Sequence, residues 1–494
     1  MTTELPSPLS LWVDTAPAPD RAGGLVPPEA EVVVIGAGIA GLTTAYRLAE
    51  AGRAVVVLEA GKVAGGVSGH TTAKVSAQHA LIYDKLKSRK GLDGARQYGK
   101  AQLDALEWIA ATADAEDIDC SFSRQDSYVY ATGRGRVDEL KHEADAASEA
   151  GLPADYVGEI APPVGAVGAV RFTGQAQFHP RRWLLGLAKA IERLGGRIVE
   201  DARVTHVEER GVVHTEHGRV RARDVVVATH YPILDRGLFF ARLDPVRDLV
   251  VAGETGTPWP GGMYLDAVTH RSLRGYDGLV LVGGEHYRTG EHVDVDARYR
   301  RLAEAAARFG VTKPTYRWSA HDMSTVDSVP YVGRYHPAAR HLWVATGFGQ
   351  WGMTGGTAAG LLLDRLIRGL EAPSAALFDP NRFDLASSAG LARNNAVVAK
   401  YLVGDHLRAA LSRSKVDDLR PGEGVVTRRG AGFVASCRTE DDELREVNAR
   451  CTHLGCLVAF NNAEKTWDCP CHASRFGTDG SVIQGPATKP LSPM

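Results

Sequence analysis

The chain has 494 residues, 44% hydrophobic and 23% charged, with a formal net charge of −2. At ~150 residues per domain there is room for about three domains. The near-neutral balance speaks against a nucleic-acid or other polyanion surface, and no apolar run reaches the ~18 residues that span a bilayer. The opening residues lack a basic segment followed by an apolar one, and only two of six cysteines, Cys120 and Cys437, lie outside one C-terminal group. A reducing, cytoplasmic location is therefore expected.

Residues 1–30 are rich in Pro, Ala and polar side chains and read as an extended N-terminal arm in which Leu11 and Trp12 pack. Glu31–Ile35 is a buried-type strand running into Gly36-Ala-Gly38-Ile-Ala-Gly41. A helix with apolar positions at Leu42, Ala45, Tyr46, Leu48 and Ala49 follows, then a second strand, 54–58, closing on Glu59. This is a βαβ unit with G-x-G-x-x-G at its first turn and an acid about 20 residues on. The first glycine makes the turn, the second admits a pyrophosphate and the third lets helix and strand pack closely. The phosphates meet the helix N-terminus, and Glu59 accepts from a ribose hydroxyl, which disfavours a 2′-phosphate and hence NADP.

FAD and NAD both use this motif. The flanks decide between them by resemblance: Ser10 to Trp12 and Glu59 to Gly69, with the Ser68-Gly69 turn, resemble FAD-dependent amine and amino-acid oxidoreductases of the D-amino-acid oxidase type, γ-glutamylputrescine oxidoreductase among them. His70 to His79 departs from that enzyme and resembles a bacterial group in which such a flavoprotein is fused to a C-terminal Rieske domain. The resemblance implies an α/β fold over 31–383, a Rossmann-like FAD-binding domain interleaved with a mixed-sheet substrate domain at about 84–178 and 231–325. It implies non-covalent FAD, since His70 misses the position used for covalent attachment. It makes Gly36, Gly38, Gly41, Glu59 and Ser68 cofactor-binding, adds Val204 through backbone contact to adenine, and brings one of Lys74, Gln78 and His79 to the flavin or the substrate.

Helical periodicity covers 84–118, 137–150 and 181–194, with strands near 197–199, 224–229 and 279–284. The stretch from Ala161 to Phe172 reads as β-rich. Glu285, His286, Tyr287 and Arg288 follow a glycine turn and could reach the flavin face. Arg288 or Arg317 could hold a substrate carboxylate in a bidentate fork, and Trp318 and Tyr331 could wall the pocket. Gly347 to Gly356 opens an apolar helix reaching about Ile367. In the family this helix directs its positive end at the flavin, so Gly347, Gly352, Met353 and Thr354 form a second cofactor group. Gln350 stands where relatives in the fused group often carry Lys. A helical connector is expected over 384–418, with its helix at about 391–411.

Cys451-Thr-His453-Leu-Gly-Cys456 and Cys469-Pro-Cys471-His472 place four of the six cysteines in 22 positions. Two thiolates on one iron and two imidazoles on the other are the ligand set of a Rieske [2Fe–2S] centre; Cys451, His453, Cys469 and His472 supply it. Zinc uses similar spacings but gives no reason for Cys456 and Cys471. CTHLGC, CPCHASRF and Gly485-Pro486-Ala487 resemble the Rieske family, which implies a Cys456–Cys471 disulfide, a proline loop over the cluster and a small all-β domain over 419–494. Ala473 replaces the family's Gly and Phe476 the Tyr of high-potential members, while Ser474 is kept. A potential in the middle of the roughly −150 to +300 mV range is expected.

Two redox centres suggest a relay: a small-molecule amine or amino acid is oxidised at FAD, and electrons leave singly through the cluster to an external protein or quinone. The rivals are an oxidase using O₂ at the flavin and a reductase or monooxygenase fed through the cluster.

Overall fold

In the computed structural model the described residues are 5–19, 21, 24–161, 163–382, 387–411 and 416–494. Residues 1–4, 20, 22 and 23 of the arm, Pro162 of the stretch read as β-rich, and 384–386 and 412–415 of the expected connector lie outside them.

Consecutive valines build the first sheet. Val32 and Val34 face one apolar core while Val33 and Ile35 face another, as the two-residue period of a strand requires. Glu29–Ile35 pairs in parallel with Val55–Leu58 and with Gly218–Val227. Arg197–Val199 and Leu342–Thr346 extend the parallel run at either side, and Tyr331–Arg334 closes one edge antiparallel. Buried on both faces, these strands read as continuous apolar runs. Helices Ile39–Glu50, Pro180–Arg193 and Gly352–Ile367 cover one face. Ile39–Glu50 and Gly352–Ile367 lie close together because Gly356 and Gly360 face Ile39 and Thr43.

The second sheet has nine strands, drawn from Lys74–Gln177 and Leu243–Thr325. It is mixed: Met263–Asp266 runs parallel to Ser123–Ala131 and its other pairings are antiparallel. It begins earlier than the expected 84, because Lys74–Val75 pairs with Ala176–Gln177. The long helix Tyr83–Ala115 is interrupted at Gly91, whose φ of +72° only glycine takes easily.

The arm differs from the extended reading. Ser10 caps a short helix, Leu11–Thr15. Trp12 is fully buried and donates Nε1–H to the Thr71 carbonyl at 2.6 Å.

At the C-terminal end, a three-stranded antiparallel sheet (Gly424–Arg429, Gly432–Arg438, Leu444–Asn448) and a four-stranded one (Ala459–Asn461, Thr466–Asp468, Arg475–Phe476, Val482–Gln484) form a small all-β unit. The helix Ser387–Leu411 packs Val398, Tyr401 and Ala409 onto its core. This unit is docked on the rest of the chain. Ala473 joins the core that holds Tyr231, Leu234 and Phe239, and Ala463 joins the core that holds Leu249, Tyr287 and Tyr299.

Candidate redox centres

A cavity of about 790 Å³ runs from the glycine turn to the C-terminal unit. At its first end, Gly36 takes φ +106°, and a side chain on Gly41 would run into the Gly36 carbonyl. A Cβ on Gly38 would meet only the Ser68 hydroxyl, at 3.2 Å, so its other side is open to the cavity. That is the cradle a pyrophosphate needs. Ser68 Oγ accepts from the Ile39 N–H at 3.2 Å, in the first turn of the helix. Glu59 accepts from the Ala37 and Gly61 N–H groups at 2.7 and 2.9 Å. Burial pushes its carboxyl up, and these two donors oppose the rise. Val204 and Arg203 continue the wall.

Of the ten cofactor positions read from the sequence, Gly36, Gly38, Glu59, Ser68, Val204, Gly352 and Met353 line the cavity. Gly41, Gly347 and Thr354 act behind it. Gly347 makes a turn at φ +81°, where a side chain would strike Thr325. Thr354 donates to the Ser76 carbonyl at 2.8 Å and meets His79 Nε2 at 3.0 Å, tying the helix to the chain that follows Lys74.

The middle of the cavity separates the three flavin-proximal candidates. Lys74 reaches it, buried, its ammonium donating to the Tyr264 carbonyl at 2.7 Å. Burial, helped by the Arg274 charge, lowers Lys74 to about 7. Gln78 instead donates to the Val170 carbonyl, and His79 is stacked on Trp351 with Nδ1 on the Tyr98 hydroxyl. Trp318 lines the cavity and donates to the His70 carbonyl, but Tyr331 is packed in the core under Arg242 and Arg382. Neither arginine proposed for a carboxylate reaches the cavity: Arg288 pairs with Asp244 and Arg317 with Asp296. Glu285 pairs with Arg301, and Tyr287 meets Asn461 of the C-terminal unit.

Besides Gln350, which the sequence had marked, other groups line it that the sequence did not single out. Gln350 donates to Asp248, and burial raises both Asp248 and Asp322, the latter to about 7. Burial also holds His321 well below the usual histidine range, so its imidazole is neutral. Arg247 is fully buried and paired with Glu464 of the C-terminal unit at 2.8 Å. Nothing in their local sequence marks them, since their neighbourhood is made by strands far apart in the chain.

At the far end, two loops converge. Cys456 and Cys471 form a disulfide with Cα atoms 6.5 Å apart. Cys451 and Cys469 remain free and buried, and the proximity of their sulfurs lowers the Cys451 thiol. The His453 and His472 rings stand 4.9 Å apart and perpendicular. His453 Nδ1 is buried without a partner. Two thiols, two imidazoles and a buried, orphaned ring nitrogen are the donor set a [2Fe–2S] cluster fits. The Cys456, Cys469 and Cys471 sulfurs also lie within 4.8 Å of one another, but the disulfide leaves only Cys469 able to ligate.

Residues 31–366 match the family model of the FAD dependent oxidoreductases, and residues 410–494 that of the Rieske [2Fe-2S] domain. The chain belongs to the FAD-dependent oxidoreductases and carries a Rieske domain. Its cofactors are FAD and a [2Fe–2S] cluster. It is 36% identical, over 99% of its own length and 96% of the relative's, to YhfW of Bacillus subtilis, a protein named for a Rieske 2Fe-2S centre. Gamma-glutamylputrescine oxidoreductase of Escherichia coli is 26% identical over 72% of this chain and 85% of that enzyme. Among solved structures, glycine oxidase from Geobacillus kaustophilus superposes with a TM-score of 0.61 at 20% identity, covering 72% of this chain and all of that one. This last likeness bears on the fold alone.

The Rieske loops show why this oxidoreductase departs from the pattern at Ala473. The residue takes φ +62°, the left-handed region that favours glycine, yet its side chain is fully buried in the core shared with the flavoprotein. The methyl group trades local strain for contact between domains. Among the described residues of the oxidoreductase no helix is long and apolar enough to cross a membrane.

Proposed function

We propose that the protein oxidises the C–N bond of an amine or amino acid and delivers the electrons to an external acceptor, a protein or a quinone. FAD supplies two-electron, hydride-accepting chemistry and the cluster one-electron transfer. The observation that carries this reading is one loop with two faces. Gln484, Gly485, Ala487 and Thr488 line the flavin cavity, while the Ala487 N–H donates at 3.0 Å to the hydroxyl of Ser474, two residues from His472. One short loop thus lies between the cavity and the residues beside His472, which supports direct transfer between the two centres.

The chain's own residues divide the work. Gly36, Gly38, Glu59 and Ser68 would hold the nucleotide, and the helix opening at Gly352 directs its positive end into the cavity, where it would stabilise negative charge on the reduced flavin. Cys451, His453, Cys469 and His472 hold the cluster. Lys74, neutral in part near pH 7, can take a proton at Nζ from a substrate ammonium. Arg247 with Glu464 and Arg475 closes the cavity against water on the Rieske side.

The test is anaerobic addition of amines and amino acids to the holoprotein, with flavin absorbance and the reduced-cluster EPR signal followed together. Bleaching of the flavin followed by the cluster signal is expected. If no such substrate bleaches the flavin, and an external reductant reduces the cluster first and the flavin afterwards, electrons run inward and the proposal is wrong.

A further inference from the structure

The imidazole edge of the cluster site does not face solvent. It faces the flavoprotein stretch Leu234–Arg242. His453 Nε2 lies 2.9 Å from Asp235 Oδ1. The Phe240 ring packs edge-on against His472, with centroids 5.6 Å apart, and against His453, at 6.3 Å. The seat is anchored around its rim. Arg288 Nε donates to the Pro470 carbonyl at 3.3 Å, and Gly290 lies so close to Cys469 and Pro470 that any side chain there would collide with their backbone. Asn395, on the connector helix, donates to the Ala241 carbonyl at 3.2 Å.

We propose that Asp235 is a positioning residue for the cluster: its carboxylate accepts the Nε2–H of His453 and lowers the cluster's reduction potential. The flavoprotein domain thereby sets the potential of the centre beside it. His453 Nδ1 is buried and has no partner among the described residues, which leaves it for the metal, so Nε2, facing Asp235, is the nitrogen that would carry hydrogen. A carboxylate on that hydrogen raises the basicity of the ligand. It also places negative charge beside the iron pair, which favours the oxidised state because that state carries more positive charge. Asp235 is exposed on its other side, so solvent screens much of the charge and the effect is moderate. The inference rests on Cys451, His453, Cys469 and His472 being the ligands, and not on the direction of electron flow.

The experiment is an EPR-monitored redox titration of the full-length holoprotein with mediators and dithionite, which needs no substrate. Asp235→Asn keeps an acceptor for the hydrogen bond and removes the charge. Its midpoint is expected to rise, by up to a tenfold change in the one-electron equilibrium, about 59 mV. Phe240→Leu loosens the seat without changing charge and is expected to leave the midpoint in place. An unmoved midpoint in Asp235→Asn, or an equal shift in both variants, overturns the role of the carboxylate. A wild-type holoprotein without a Rieske-type signal refutes the ligand assignment instead. Failure of substrates to reduce the flavin bears only on the proposed function, since the mediators reach the cluster without it.

Discussion

Lys74 shows how one residue's setting changes its chemistry. It stands in a two-residue strand, buried at the flavin cavity, with a backbone carbonyl for a partner and, among the described residues, no carboxylate paired with it. Its folded-state value of about 7 lies below the ordinary 10.5. Between those two values the unfolded chain binds the proton and the folded chain does not, so stability rises with pH through that window. The cost of burial is complete below about pH 7 and gone above 10.5. Lys74→Met should therefore stabilise the holoprotein against urea most at pH 6.5, with the gain shrinking steadily toward pH 10; a pH-independent difference would refute the assignment. In the sequence Lys74, Gln78 and His79 were equal candidates. Only packing separates them, because Gln78 and His79 point at Val170, Tyr98 and Trp351, which are remote in the chain.

Among the elements, the crossing of Ile39–Glu50 with Gly352–Ile367 matters most, since both helices present an N-terminus to the cavity. Their approach depends on missing side chains: a Cβ on Gly360 would lie 2.6 Å from Thr43 Cβ. Gly360→Ala forces the helices apart, with an overpacking cost of about 1–3 kcal/mol. A lowered Tm together with reduced FAD content after purification is expected; unchanged flavin occupancy would show that the crossing does not set the cavity. The N-terminal arm is a second such element. Trp12 is fully buried against His179, Tyr276 and Trp318, and Trp12→Ala should cost about 3–5 kcal/mol, measured by denaturant unfolding.

At the scale of the whole molecule, one buried ionic group ties the two redox domains together. Glu464 of the Rieske domain accepts from Arg247 of the flavoprotein and from Arg475. Burial pushes the Glu464 carboxyl up, but the Arg247 and Arg475 charges and the Ser319 hydroxyl outweigh it and hold the group at about 2, against an ordinary 4.5. A carboxyl depressed in this way stabilises the fold fully above the ordinary value and loses that contribution as pH falls toward 2. Glu464→Gln should cost about 3–5 kcal/mol near neutrality, because buried Arg247 loses its carboxylate while Arg475 is left with Asp468. The difference from wild type should close below pH 4, read by acid unfolding of both proteins. A stability difference that does not shrink as pH falls from about 5 toward 2 would argue against the pairing.

What the sequence determined by itself were the features that local chemistry imposes. The glycine turn with its strand, helix and Glu59 could be read because each residue answers a constraint set within one βαβ unit. The Rieske loops could be read because four candidate ligands and the two cysteines of the disulfide fall in 22 positions. Segment types survived for the same reason: the helices at 84–118, 137–150 and 181–194 moved by three residues or fewer at either end, since apolar periodicity is a property of the segment.

Tertiary structure alone decided which polar side chains share the cavity. Arg247, Asp248, His321 and Asp322 sit on two strands paired across more than sixty residues of chain, and their neighbours follow from register, which no local pattern encodes. It removed Arg288 and Arg317 from the carboxylate role by supplying each with an acid from another strand or helix. It also placed the cluster's imidazoles against Asp235 and Phe240. Docking depends on the shape and charge of two finished surfaces, and those exist only after each domain has folded.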